Sequence, residues 1–164
     1  WNMASNSLHF LDLFNYLNEN SKIRLKYKKL NNIIYKSKRD NFFELRGILE
    51  FVDSNKNYLH VSDSIKYKND THILIENKDY KFKIYESKKK FVEIKKTNVK
   101  KENLSFVSIP LQSTLTKKLI ELIIKKEDTN LPSLEDSFII HDMVLKTFNN
   151  HIYSLKKNKK IMIT

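Results

Sequence analysis

The sequence predicts an α+β fold in which a largely antiparallel open sheet of five or more strands carries helices packed on one face. Three observations lead there. Apolar residues recur at helical spacing near the N-terminus, alternate with polar residues between Ile23 and Ile94, and return to helical spacing from Ser113. At 164 residues the chain can bury one full hydrophobic core, so residues 1–164 are read as a single domain.

The first element is a short amphipathic helix. Ser5, Asn6 and Ser7 supply N-caps, Leu8, Leu11, Phe14 and Leu17 form its apolar stripe, and the polar run Asn18 to Ser21 ends it. Its other face carries His9, Asp12 and Tyr16. The period then becomes two. Ile23, Leu25 and Tyr27 alternate with Arg24, Lys26 and Lys28, and Phe43, Leu45, Leu49 and Phe51 alternate with Glu44, Arg46 and Glu50. Further strands are expected at Tyr58 to Ser62, His72 to Glu76, Tyr80 to Tyr85 and Phe91 to Lys95, separated by turn-rich stretches at Asp53 to Asn57, Lys68 to Thr71 and Asn77 to Asp79. Connections this short favour an antiparallel meander, because parallel neighbours need crossovers of about a dozen residues or more. The sheet face away from the helices would carry Arg24, Lys26, Lys28, Lys81 and Lys83 beside Glu44 and Glu50.

In the last third, Leu115, Leu119, Leu122 and Ile123 form a helical stripe that stops before Glu127. Pro132 then opens a longer helix, with Ser133 as N-cap and Asp136 as its capping-box partner, running to about Tyr153. Phe138, Met143, Val144, Phe148 and Ile152 are its expected buried side, and Ile161 to Thr164 a short edge strand.

Composition excludes several kinds of chemistry. Without cysteine there are no disulfides, thiolate nucleophiles or thiolate metal sites. Gly47 is the one glycine, whereas a dinucleotide-binding turn or a P-loop needs several to admit a phosphate to the backbone. A nucleotide cofactor would therefore have to be held mostly by another polypeptide segment. The formal charge of +12, from 31 Lys and Arg against 19 Asp and Glu, raises nucleic-acid binding as a possibility. The basic residues are dispersed and follow no recognised binding motif, so a compositional bias towards Lys, Asn and Ile explains them better. The N-terminus lacks the blocks of a signal peptide and no apolar run approaches a membrane span, which makes a cytoplasmic protein without membrane association the expectation.

The candidate chemistry lies in the first helix. With Asn6 as cap, His9 falls in the first turn, where unpaired N–H groups disfavour the imidazolium, and Asp12 one turn later opposes this and can orient the ring. A His beside an Asp is also a common surface pair. No metal-ligand spacing connects His60, His72, His141 and His151, and no metal is expected; His141 and Asp142 on the last helix suit a packed or solvated role. The chain opens with Trp and sets its candidate base at position nine, so it reads as a fragment.

The segment Ser5-Asn6-Ser7-Leu8-His9-Phe10-Leu11-Asp12-Leu13 resembles the opening of the C-terminal domain of the Gfo/Idh/MocA-type oxidoreductases, whose pattern is Asp-x-x-x-His-x-x-Asp. Phe43-Glu44-Leu45-Arg46-Gly47 is similar to that family's strand ending in Glu-x-x-Gly, and Leu131-Pro132-Ser133-Leu134-Glu135-Asp136-Ser137 to its final-helix entry. The matches keep their order over nearly the whole chain. The resemblance implies a substrate-binding domain of an NAD- or NADP-dependent dehydrogenase acting on a sugar or sugar nucleotide, with an N-terminal Rossmann domain, absent from this chain, holding the cofactor. It implies that His9 exchanges the hydroxyl proton of the substrate, that Ser5, Asn6 and Asp12 bind or support, and that the chain alone is inactive. Ser5 stands where the family usually has Asp, so the charge beside His9 is missing. A homo-oligomer through the sheet face is a further implication, provided its charges pair. The rival expectation is a non-catalytic carbohydrate-binding or assembly module.

Overall fold

The first helix starts earlier than its polar residues suggest. In the computed structural model, which describes residues 3–19, 21–64, 72–85, 88–95, 102–106, 112–129, 131–156 and 162–163, α1 spans Met3–Leu17. Met3, Ser7, Leu11 and Phe14 are all buried at helical spacing, so the apolar stripe extends two residues before the expected caps. Ser7 caps nothing: its hydroxyl donates back to the Ala4 carbonyl at 3.0 Å.

The chain divides into two compact units, one made of Trp1–Lys66 with Leu131–Thr164 and the other of Tyr67–Asn130. In the first unit, β1 (Arg24–Leu30), β4 (Gly47–Val52) and β5 (Tyr58–Asp63) form an antiparallel sheet in the order β1-β4-β5. A second small sheet joins β2 (Tyr35–Lys36), β3 (Phe42–Glu44) and β10 (Met162–Ile163), with β10 parallel to β3. The helix α3 spans Leu134–Lys156. Its Ser133 cap accepts from the Asp136 amide at 3.0 Å, the first bond of a capping box, and its hydroxyl donates to the Asp136 carboxylate at 2.7 Å.

Leu11 and Phe14 of α1, Ile140, Val144, Phe148 and Ile152 of α3, Leu49 and Phe51 of β4, and Val61 of β5 form one core, with Leu45 beside β4. Each such side chain contributes about 1.5–3 kcal/mol when fully buried. The four α3 residues recur every four positions, which keeps them on one face. Phe138, expected on that face, is two positions from Ile140 and so points elsewhere, 67% exposed.

A buried carboxylate joins the end of α1 to the β4–β5 turn. Asp53 accepts from the Asn57 amide at 2.7 Å, from Asn57 Nδ2 at 2.9 Å and from the Ser21 hydroxyl at 2.9 Å. Asn57 Nδ2 also donates to Asn18 Oδ1, whose own amide reaches the Phe14 carbonyl.

The second unit is a four-stranded antiparallel meander of β6 (Ile73–Glu76), β7 (Tyr80–Tyr85), β8 (Lys90–Lys95) and β9 (Glu102–Phe106), followed by α2 (Gln112–Lys125). Asn77 closes its first hairpin by accepting from the Asp79 and Tyr80 amides. Tyr80, Phe82 and Phe91 stack in a row at centroid separations of 5.8 and 5.6 Å.

The α+β class and the largely antiparallel pairing are as the sequence predicts. The open sheet of five or more strands is not found: among the described residues the strands form three sheets of three, three and four. The run from Phe43 to Phe51 breaks at Leu45-Arg46, and Gly47, at φ 147°, begins a new strand in a different sheet. A Cβ at Gly47 would run into the carbonyl oxygen of Lys29, so this close approach of β1 and β4 needs glycine. The expected single charged face is dispersed accordingly, with Arg24, Lys26 and Lys28 on β1, Lys81 and Lys83 on β7, and Glu44 buried.

Candidate functional site

The exposed ridge of α1 carries His9 and Tyr16, with Asp12 partly buried between them. Asn6 is half-buried within the helix, and Ser5 lies in α1 with its side chain outside the described residues. Because α1 already exists at Met3, His9 is in its second turn, beyond the reach of the end charge that the sequence invoked.

Asp12 does not orient His9 as expected. Its Oδ2 lies 2.9 Å from Nε2 of His141 on α3, so this contact joins residues 129 apart in sequence. A carboxylate only accepts, hence Nε2 carries the hydrogen. Oδ1 of Asp12 is buried with no hydrogen-bond partner. His141 follows the buried Ile140, and the packing of α3 on α1 brings it to Asp12.

The remaining histidines are engaged elsewhere. His60 lies 3.2 Å from Glu50, His151 Nε2 donates to the Asn31 carbonyl at 3.0 Å, and His72 meets the Tyr85 ring at a centroid distance of 5.5 Å. His9 is exposed, and its side chain, alone among the described histidines, has no hydrogen bond, ion pair or ring contact with a described residue.

A second polar cluster, unforeseen from sequence, surrounds Arg46. Its guanidinium stacks over Tyr35 at 4.9 Å and lies 3.6 Å from Oδ1 of Asp63. Arg46 Nε and Asp63 Oδ2 are buried and unpartnered. Burial pushes the Asp63 carboxyl above its ordinary range, although Arg46 acts to lower it. The signal was present in the Phe43-Glu44-Leu45-Arg46-Gly47 segment, where an Arg precedes a glycine that breaks the strand run.

A dinucleotide does not fit this chain's own residues, since its one glycine is committed to the β1–β4 approach. No helix of the described residues is long and apolar enough to cross a membrane. Comparison with protein-family models, with curated proteins and with solved structures finds no match.

Proposed function

We propose that this chain is the substrate-binding domain of a nicotinamide-dependent oxidoreductase acting on a sugar or sugar nucleotide, in the manner of the Gfo/Idh/MocA-type enzymes. What supports the proposal is His9, an exposed histidine with no structural commitment, on a helix whose sequence resembles the family segment except at Ser5. In this scheme a ring nitrogen of His9 takes the substrate hydroxyl proton during oxidation and returns it during reduction. NAD or NADP is held by a separate dinucleotide-binding segment. Asn6 and Asp12 support the face, and Ser5 offers a hydroxyl in place of a carboxylate.

The test is turnover. The chain joined to or mixed with its dinucleotide-binding segment is assayed with NAD and NADP against a panel of sugars and nucleotide sugars, following nicotinamide absorbance. Oxidation or reduction of a member of the panel by the combination, and none by this chain alone, is the expected result. Turnover by the isolated chain, or none by the combination, contradicts it.

A second function, assembly without catalysis, is favoured by one observation: α2 exposes Leu115, Ile120, Ile123 and Ile124, the last 75% exposed. It predicts self-association that Ile120→Glu with Ile124→Glu abolishes, measured by light scattering.

A further inference from the structure

A bulge in β1 gives the first unit a surface that plain alternation would not produce. Strict alternation sets Leu25 and Tyr27 on the same side of the strand. In the sheet, Leu25 pairs with Phe51 but Tyr27 pairs with its neighbour Glu50, so Lys26 is an extra residue and the faces exchange after it. Phe51 belongs to the core and Leu25 packs against it, whereas Tyr27 turns to the opposite face and is 45% exposed. Residues directly opposite on paired strands share a face. The outer face therefore collects Arg24 beside Val52 and Tyr58, Tyr27 beside Glu50 and His60, and Lys29 beside Ile48. Lys26 joins them, its Nζ 4.5 Å from the centroid of the Tyr58 ring, which is 59% exposed.

Charge on this face is one-sided. Among the described residues Arg24, Lys26 and Lys29 are exposed and form no ion pair, and the one acid in these paired rows, Glu50, is engaged by His60 at 3.2 Å. Free cations set among open aromatic rings suit a single nucleic-acid strand, whose phosphates meet the cations and whose unstacked bases meet the rings. A duplex keeps its bases stacked, and an acidic peptide has no bases to offer. We propose that the outer face of the β1-β4-β5 sheet binds single-stranded nucleic acid, with phosphates on Arg24, Lys26 and Lys29 and bases against Tyr27 and Tyr58. The cations are dispersed in the sequence, and strand register with the bulge gathers these three. The core and the helices α1 and α3 lie on the other side of the sheet, so this binding is independent of His9 and of the oxidoreductase proposal.

The experiment measures binding of labelled oligothymidylate to the full chain by fluorescence anisotropy over a range of salt. An abasic strand of the same length and the oligothymidylate annealed to oligoadenylate are measured beside it. Tyr27→Ala and Tyr58→Ala change no charge, and each should weaken binding of oligothymidylate by about 5-fold or more while leaving the abasic strand unaffected. Arg24→Gln, Lys26→Gln and Lys29→Gln together should lower the slope of log affinity against log salt by about 2. The same loss of charge on α2, by Lys117→Gln, Lys118→Gln and Lys125→Gln, should leave that slope as in the wild type. Circular dichroism confirms that each variant is folded, and either tyrosine variant serves if the other is not. Equal affinity for strands with and without bases makes the face a general polyanion surface and overturns the proposal. A duplex bound as tightly as the single strand overturns it too, as does an equal effect of the two triple variants.

Discussion

Replacing Asp53 by Ala removes a carboxylate that is 4% exposed and accepts three hydrogen bonds at 2.7, 2.9 and 2.9 Å. Hydrogen bonds to a charged group contribute about 1.5–3 kcal/mol each. Asn57 is exposed, so its two donors regain water when the carboxylate is gone. Full weight for the Ser21 bond and half for each of the two Asn57 bonds puts the loss at about 3–6 kcal/mol.

The pH dependence follows from the same contacts. Burial raises the Asp53 pKa, but the hydrogen bonds from Asn57 and Ser21 outweigh it and hold the carboxyl below its ordinary 3.8. A depressed folded value means that the unfolded chain binds the proton first as pH falls. The contribution of Asp53 is therefore fully present above the unfolded value of 3.8 and is lost as pH falls through the folded one. Urea unfolding followed by circular dichroism, at neutral pH and in acid, measures both, the relevant transition being that of the unit containing α1. A loss below about 0.5 kcal/mol at neutral pH, or one that does not shrink in acid, refutes the reasoning.

Three further outcomes follow from packing and charge. Phe148→Ala empties a fully buried site between α3 and the sheet and should cost about 3–5 kcal/mol in urea unfolding. Gly47→Ala meets both φ 147° and the Lys29 carbonyl, so it should lose about 3 kcal/mol or more by thermal unfolding, with fast hydrogen exchange along β1 and β4. Asp63 has the opposite sign to Asp53: burial raises its folded pKa above 3.8, so its stability contribution grows as pH falls through that raised value towards 3.8. Asp63→Asn should abolish this rise on the acid side, read from the same urea titrations.

Periodicity located elements well where one face is wet. Tyr80 to Ile84 alternates and lies in β7 within the expected bounds, although every position of that strand is half-buried, and Ser133 with Asp136 marks the entry to α3. Sheet membership was not legible, because it depends on which strand a given strand meets, and Arg46-Gly47 redirects the chain without interrupting the alternation around it. β9 escaped notice since Glu102 to Phe106 carries only two apolar residues. In α1 the polar Ser5, Asn6 and Ser7 suggested caps, yet burial of Met3 and Ala4 outweighs that local preference and continues the helix through them. The exposed face with His9 could be read from spacing. The partner of Asp12 could not, because it lies 129 residues away and is supplied by packing of α3 on α1.

The central claim is that the exposed imidazole of His9 handles a substrate proton. It is tested most directly by His9→Gln in the proposed combination of this chain with a dinucleotide-binding segment, with His60→Gln, at another exposed histidine, as control. The account predicts that turnover falls by about 10²–10⁴-fold in the first variant while KM changes little and the second behaves as wild type. Equal turnover in His9→Gln and His60→Gln would contradict it.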